Sequence, residues 1–113
     1  MRIQRNYKLY LSDINESINR IQEYTWDISE EEFKENSQIQ DAVIRRMEII
    51  GEAVKNIPLS VRNVNKIIPW KELSNFKNLL IHSYFEVSTN RIWNVINNDL
   101  PKIKEDLGNI KLL

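Results

Sequence analysis

Apolar side chains recur along this chain in steps of three and four, the spacing of one face of an α-helix. Between residues 5 and 24 the stripe reads Tyr7, Leu11, Ile14, Ile18 and Ile21. Ser29 with Glu32 then fits a capping box that opens a short acidic helix or turn in "ISEEEFKENS". Ser37 is a candidate cap for the next helix, striped by Ile39, Val43, Met47, Ile50 and Val54. That helix must stop before Pro58, because the residue preceding a proline disfavours helical backbone. The segment 59–69 has helical spacing at Val61, Val64 and Ile68 but is short and Asn-rich, which suits a short helix or an ordered loop. Pro69 fits the first turn of a further helix from Trp70 to about Ser83, with Leu73, Phe76 and Leu80 facing the core. Ser88 or Thr89 then caps a closing helix whose apolar positions are Ile92, Trp93, Val95, Ile96, Leu100, Ile103 and Leu107. Pro101 falls inside that stripe and should kink or divide it.

The pattern predicts an all-α fold: an antiparallel, up-and-down bundle of about four major helices with a short extra helix or two. No repeat, low-complexity tract or second core interrupts residues 1–113, so they form one domain. Composition sharpens this. With 42% hydrophobic and 28% charged residues the chain can build a core, and only two Gly and three Pro leave little material for frequent turns.

Charge and cysteine usage narrow the chemistry. The formal net charge is zero, so no global basic field draws the chain to nucleic acid, and any such contact must be local. The absence of cysteine excludes disulfides and thiolate-bound metals, and a single histidine without a second ligand disfavours zinc. No metal and no cofactor is therefore expected. No apolar run approaches the roughly 20 residues of a membrane span, and no signal-peptide core follows the N-terminus, so the expected location is cytoplasmic. "EEEFKE" lacks EF-hand spacing and reads as a solvated acidic turn. Trp26, Trp70 and Trp93 could stack bases, but bundle core or a dimer contact is the stronger reading for each. Arg45, Arg46 and Lys55 could form a phosphate-binding rim, although such residues are more often exposed helix charge.

One stretch concentrates functional groups. In "NFKNLLIHSYF", Lys77, Asn78, His82, Ser83 and Tyr84 put a cation, an amide, an imidazole, a hydroxyl and a phenol close together. At about 100° per residue Asn78 and His82 share a helix face, while Lys77 flanks His82 roughly 140° away. An imidazole moves protons near neutral pH, and an ammonium beside it can hold a phosphate. Together they suit metal-free RNA cleavage by attack of the 2′-hydroxyl on the adjacent phosphorus. One chain carries one histidine, so a two-fold dimer would supply the second proton-transfer group. Taken alone, a lone histidine near a helix end is more often a hydrogen-bonded structural residue, Lys77 a solvated charge and Tyr84 a half-buried ring.

The order of motifs changes that balance. "KNLLIHSYFEV" resembles the R-N-x-x-x-H-x-Y signature of the HepT-like branch of the HEPN family. "IIGEAVKNIP" resembles that family's Gly-Glu-Ala helix, "IPWKELSNFKN" its Trp-containing lead-in, and "NRIWNVINNDLPKI" its closing helix. The resemblance covers residues from about 5 to 107. It implies a helical homodimer whose two signatures line one cleft and cleave RNA, such as tRNA or mRNA, without metal. It further implies a toxin neutralised by a minimal nucleotidyltransferase that transfers AMP to the signature tyrosine. On this resemblance His82 is catalytic, Asn78 shapes the site, Lys77 occupies the arginine position and Tyr84 accepts AMP. Lysine keeps the charge of arginine but loses its planar fork. The alternative is therefore a weak or inactive bundle that serves as a binding subunit for the nucleotidyltransferase.

Overall fold

A computed structural model describes residues 6–76 and 89–113, and every regular element among them is helical. The chain begins with α1 (Tyr7–Thr25), α2 (Glu30–Glu35) and α3 (Ser37–Val54). It continues through α4 (Leu59–Val64) and α5 (Trp70–Ser74). After the interval come α6 (Thr89–Asn94), a π-helical turn (Val95–Asp99) and α7 (Leu100–Gly108).

The first three helices are closed by side chains. Asn6 Oδ1 accepts from the Lys8 amide at 2.9 Å and opens α1. At α2 the expected capping box forms: the Glu32 amide donates to Ser29 Oγ at 3.1 Å, and the Ser29 amide to Glu32 Oε1 at 3.2 Å. The glutamates of "EEEFKE" begin that helix, where negative charge complements the helix dipole. The cap of α3 is Asn36 rather than Ser37. Asn36 Oδ1 takes the Ile39 amide at 3.0 Å, which leaves Ser37 as the first helical residue. Gln40 then ties α3 to the end of α2, donating to the Phe33 and Lys34 carbonyls at 2.8 and 2.9 Å. Asp27, at φ 62°, makes the left-handed turn between α1 and α2, a conformation Asp tolerates better than most side chains. With so short a link, α3 runs back along α1.

The predicted stripes supply the core. Ile14, Ile18 and Ile21 of α1 pack with Val43, Met47, Ile50 and Val54 of α3, all fully buried. Leu73 and Phe76 are buried as expected, and Leu80 lies outside the described residues. Trp70 is buried, and Trp93 packs on Phe33 with ring centroids 5.4 Å apart. Trp26 departs from the core reading: it is 81% exposed beside the left-handed Asp27 turn.

Two elements differ from the stripe-based expectation. The helix expected from Trp70 to about Ser83 is interrupted at Asn75, so α5 ends at Ser74. The Asn75 amide donates to both the Lys71 and Glu72 carbonyls, and Ser74 Oγ donates to the Lys71 carbonyl at 2.8 Å. The Ser74 hydroxyl thus competes with the helical ladder for the Lys71 carbonyl where α5 ends. In the closing helix Pro101 has its effect upstream. Proline has no N–H to donate and its ring crowds the carbonyl four residues back. The chain widens by one π turn, with the Leu100 amide bonded to the Val95 carbonyl, and then continues as α7.

The segment 59–69 is half helix and half ordered loop, and Asn65 holds the loop. Its buried amide donates to the Val61 and Lys111 carbonyls, both at 2.8 Å, and its Oδ1 accepts from the Lys111 amide at 2.8 Å. Trp70 Nε1 donates to the Asn65 carbonyl at 3.0 Å, so one residue links the loop, α5 and the C-terminal strap. No helix among the described residues is long and apolar enough to cross a membrane.

Candidate functional site

Lys77, Asn78, His82 and Tyr84 all lie outside the described residues. The structure does describe the support leading to them. Leu73 and Phe76 are buried in the core, and the end of α5 lies against α3 at Gly51. A Cβ added at Gly51 would sit 3.4 Å from the Leu73 carbonyl oxygen and 3.6 Å from that of Ser74. Both are ordinary van der Waals distances, so the two backbones pack closely here with room for a methyl group.

Beside that contact lies a cleft of about 310 Å³. Tyr10 and Asp13 of α1 form one wall, residues from Arg45 to Lys55 of α3 the other, and Ser74 of α5 closes one end. Gly51 and Ala53 contribute to its lining. The cleft therefore adjoins the residue three positions before Lys77 in the sequence.

The structure divides the basic trio expected to form a rim. Arg45 and Lys55 line the cleft, and Arg46 does not. Within the cleft, Lys55 Nζ stands 3.6 Å from Glu52 Oε2, an exposed pair three residues apart on α3. Such surface pairs contribute little stability. Arg45 and Glu48 have the same spacing and also line the cleft, yet they form no ion pair among the described residues. Sequence reasoning singled out neither Glu48 nor Asp13 nor Tyr10. Each looks like ordinary helix surface, and only the packing of α1 on α3 brings them to one place.

The ribonuclease HepT-like family model matches residues 14–110. The chain belongs to the ribonuclease HepT-like family. A Thermococcus cleftensis protein named "Probable ribonuclease HepT" is 42% identical over 102 residues, covering 90% of this chain and 93% of that protein. A Methanocaldococcus jannaschii protein named "Gamma-glutamylcyclotransferase and putative RNase" is 46% identical over 105 residues. That match covers 93% of this chain but 47% of the relative, so the chain spans about half the length of that two-part protein. No solved structure matches significantly. Family membership accounts for the helical fold and for the ordered motifs around positions 51, 70, 82 and 93.

Proposed function

We propose that the chain is a metal-independent endoribonuclease that works as a homodimer in the cytoplasm, with the signatures of two copies facing one cleft. The observation that carries this reading is the ribonuclease HepT-like match, which encloses Lys77, Asn78, His82 and Tyr84. The chemistry follows from those side chains. His82 takes the proton of a ribose 2′-hydroxyl, and the freed oxygen attacks the adjacent phosphorus. The 5′-oxygen leaves with a proton from the second copy's imidazole, giving a 2′,3′-cyclic phosphate and a 5′-hydroxyl. Lys77 offsets charge on the phosphate, and Asn78, one turn behind His82, orients the ring.

Control follows from Tyr84 in the same reading. A minimal nucleotidyltransferase partner transfers AMP from ATP to the phenol, forming a phosphodiester and releasing pyrophosphate. The added anionic nucleotide, two residues from His82, then blocks the cleft and repels RNA. This makes the chain the toxin of a toxin–antitoxin pair.

One residue favours a second reading. Lys77 stands where the family signature has arginine, and a point charge cannot reproduce bidentate phosphate contact. A catalytically poor subunit that binds the nucleotidyltransferase would tolerate that change.

Cleavage of total tRNA and mRNA by purified variants separates the two. Wild type should cut, with or without chelator. His82→Ala should lose about 10²- to 10⁴-fold in rate with unchanged helicity by circular dichroism. Lys77→Arg should cut faster than wild type. If wild type and Lys77→Arg are both inert, the ribonuclease reading fails and the binding-subunit reading stands. Intact-mass measurement with the partner and ATP tests Tyr84: equal AMP addition to wild type and Tyr84→Phe would remove it as the sole acceptor.

A further inference from the structure

We propose that the cleft between α1, α3 and α5 receives one unpaired ribonucleotide, with Arg45 on its phosphate and Glu48 accepting from an exocyclic amino group, so that amino-bearing bases are preferred to uracil. The inference rests on the ribonuclease reading and adds a base-selecting subsite to it.

Three observations carry it. The first is size and place. About 310 Å³ is at the lower end of small-molecule sites and suits a single nucleotide, and Ser74 in its lining is three positions before Lys77 in the sequence. The second is the charge set. Asp13 on one wall and Glu48 and Glu52 on the other line the same space as Arg45 and Lys55. A surface that only gripped an RNA backbone would not bring three carboxylates to its polyanion. A mixed set suits a ligand that offers an anion at one end and hydrogen-bond donors at the other, as a nucleotide with an amino-bearing base does.

The third is what remains unpaired. Glu52 and Lys55, three residues apart, close on each other at 3.6 Å. Arg45 and Glu48, with the same spacing on the same helix, do not pair among the described residues. The cleft thus keeps a forked donor and a carboxylate acceptor for an outside molecule. Single-stranded RNA is read in this manner, by splayed bases hydrogen-bonded at their edges and laid against aromatic rings. Tyr10 brings such a ring to the α1 wall. Adenine N6 and cytosine N4 are amino groups that a carboxylate accepts from. Uracil presents the O4 carbonyl at the corresponding position, which a carboxylate repels.

Binding can be measured without cleavage in the His82→Ala protein, by fluorescence anisotropy with labelled six-nucleotide A, C and U RNAs. The A and C oligomers should bind at least about five-fold tighter than U, the lower range for one good base-edge contact. Adding Glu48→Gln should bring U close to A and C, because an amide can donate to the uracil carbonyl. Adding Arg45→Ala should instead weaken all three RNAs equally and lower the slope of log affinity against log salt by about one. Lys34→Ala, an exposed charge on α2, should change neither. The proposal is overturned if U binds as well as A and C, if Glu48→Gln leaves the preference in place, or if none of the RNAs binds. Failure of the ribonuclease reading is seen separately, as absence of cleavage by wild type.

Discussion

The α1–α3 pair and the α5–α7 side of the molecule are built by different rules. Helices α1 and α3 run for 19 and 18 residues, each opened by an Asn cap, and their apolar stripes interlock without interruption. On the other side α5 lasts five residues, and the closing helix is divided by a π turn before Pro101. There, Asn and Ser side chains take over backbone hydrogen bonds: Asn65 to Val61 and Lys111, Ser74 to Lys71, and Asn97 to Trp93. One half is a scaffold whose stability comes from burial. The other is held by specific polar ties, and it leads into the signature from both directions.

Substitutions can test that contrast. The largest effect is expected in the scaffold. Ile50→Ala removes a fully buried side chain facing α1 and should cost about 2–5 kcal/mol, read as a lower denaturant midpoint with an unchanged slope. A cost below about 1 kcal/mol would mean that the α1–α3 interface is not the stabilising centre. Next comes Asn65→Ala, which strips three hydrogen bonds from one buried position and should cost about 1–3 kcal/mol. Its effect should be regional: hydrogen exchange should speed up around 61–65 and 111, and α1 should stay protected. Uniform acceleration throughout the chain would erase the distinction between the two halves. The smallest is Asn36→Ala at the start of α3, expected to cost about 1 kcal/mol. If Ser37→Ala costs more than Asn36→Ala in the same thermal melts, the cap assignment is wrong.

The same division explains what could be read from the sequence. The long stripes of α1 and α3 specified their own helices because burial rewards a regular period, and the capping box at Ser29 and Glu32 was visible as a local motif. The end of α5 at Ser74 was not visible. A stripe through Leu73 and Phe76 continues past Asn75, and apolar spacing says nothing of a Ser74 hydroxyl that takes the Lys71 carbonyl. Pro101 announced a disturbance, but whether a helix kinks, breaks or widens depends on the turn that packs around it. For Trp26 the core half of the reading fails, since the side chain is exposed beside the left-handed turn at Asp27. The signature residues were legible as a motif. The cleft between α1, α3 and α5 was not, since it joins Tyr10, Glu48 and Ser74 from three separate elements.

The tie between Tyr7 and Leu113 has a consequence for engineering. Tyr7 Oη donates to the Leu113 carbonyl at 2.8 Å and accepts from its amide at 3.2 Å. Residue 113 therefore returns to the first turn of α1. Tyr7→Phe would keep the ring and remove both bonds, so one substitution would release residue 113 from α1 while leaving the buried stripe of that helix in place.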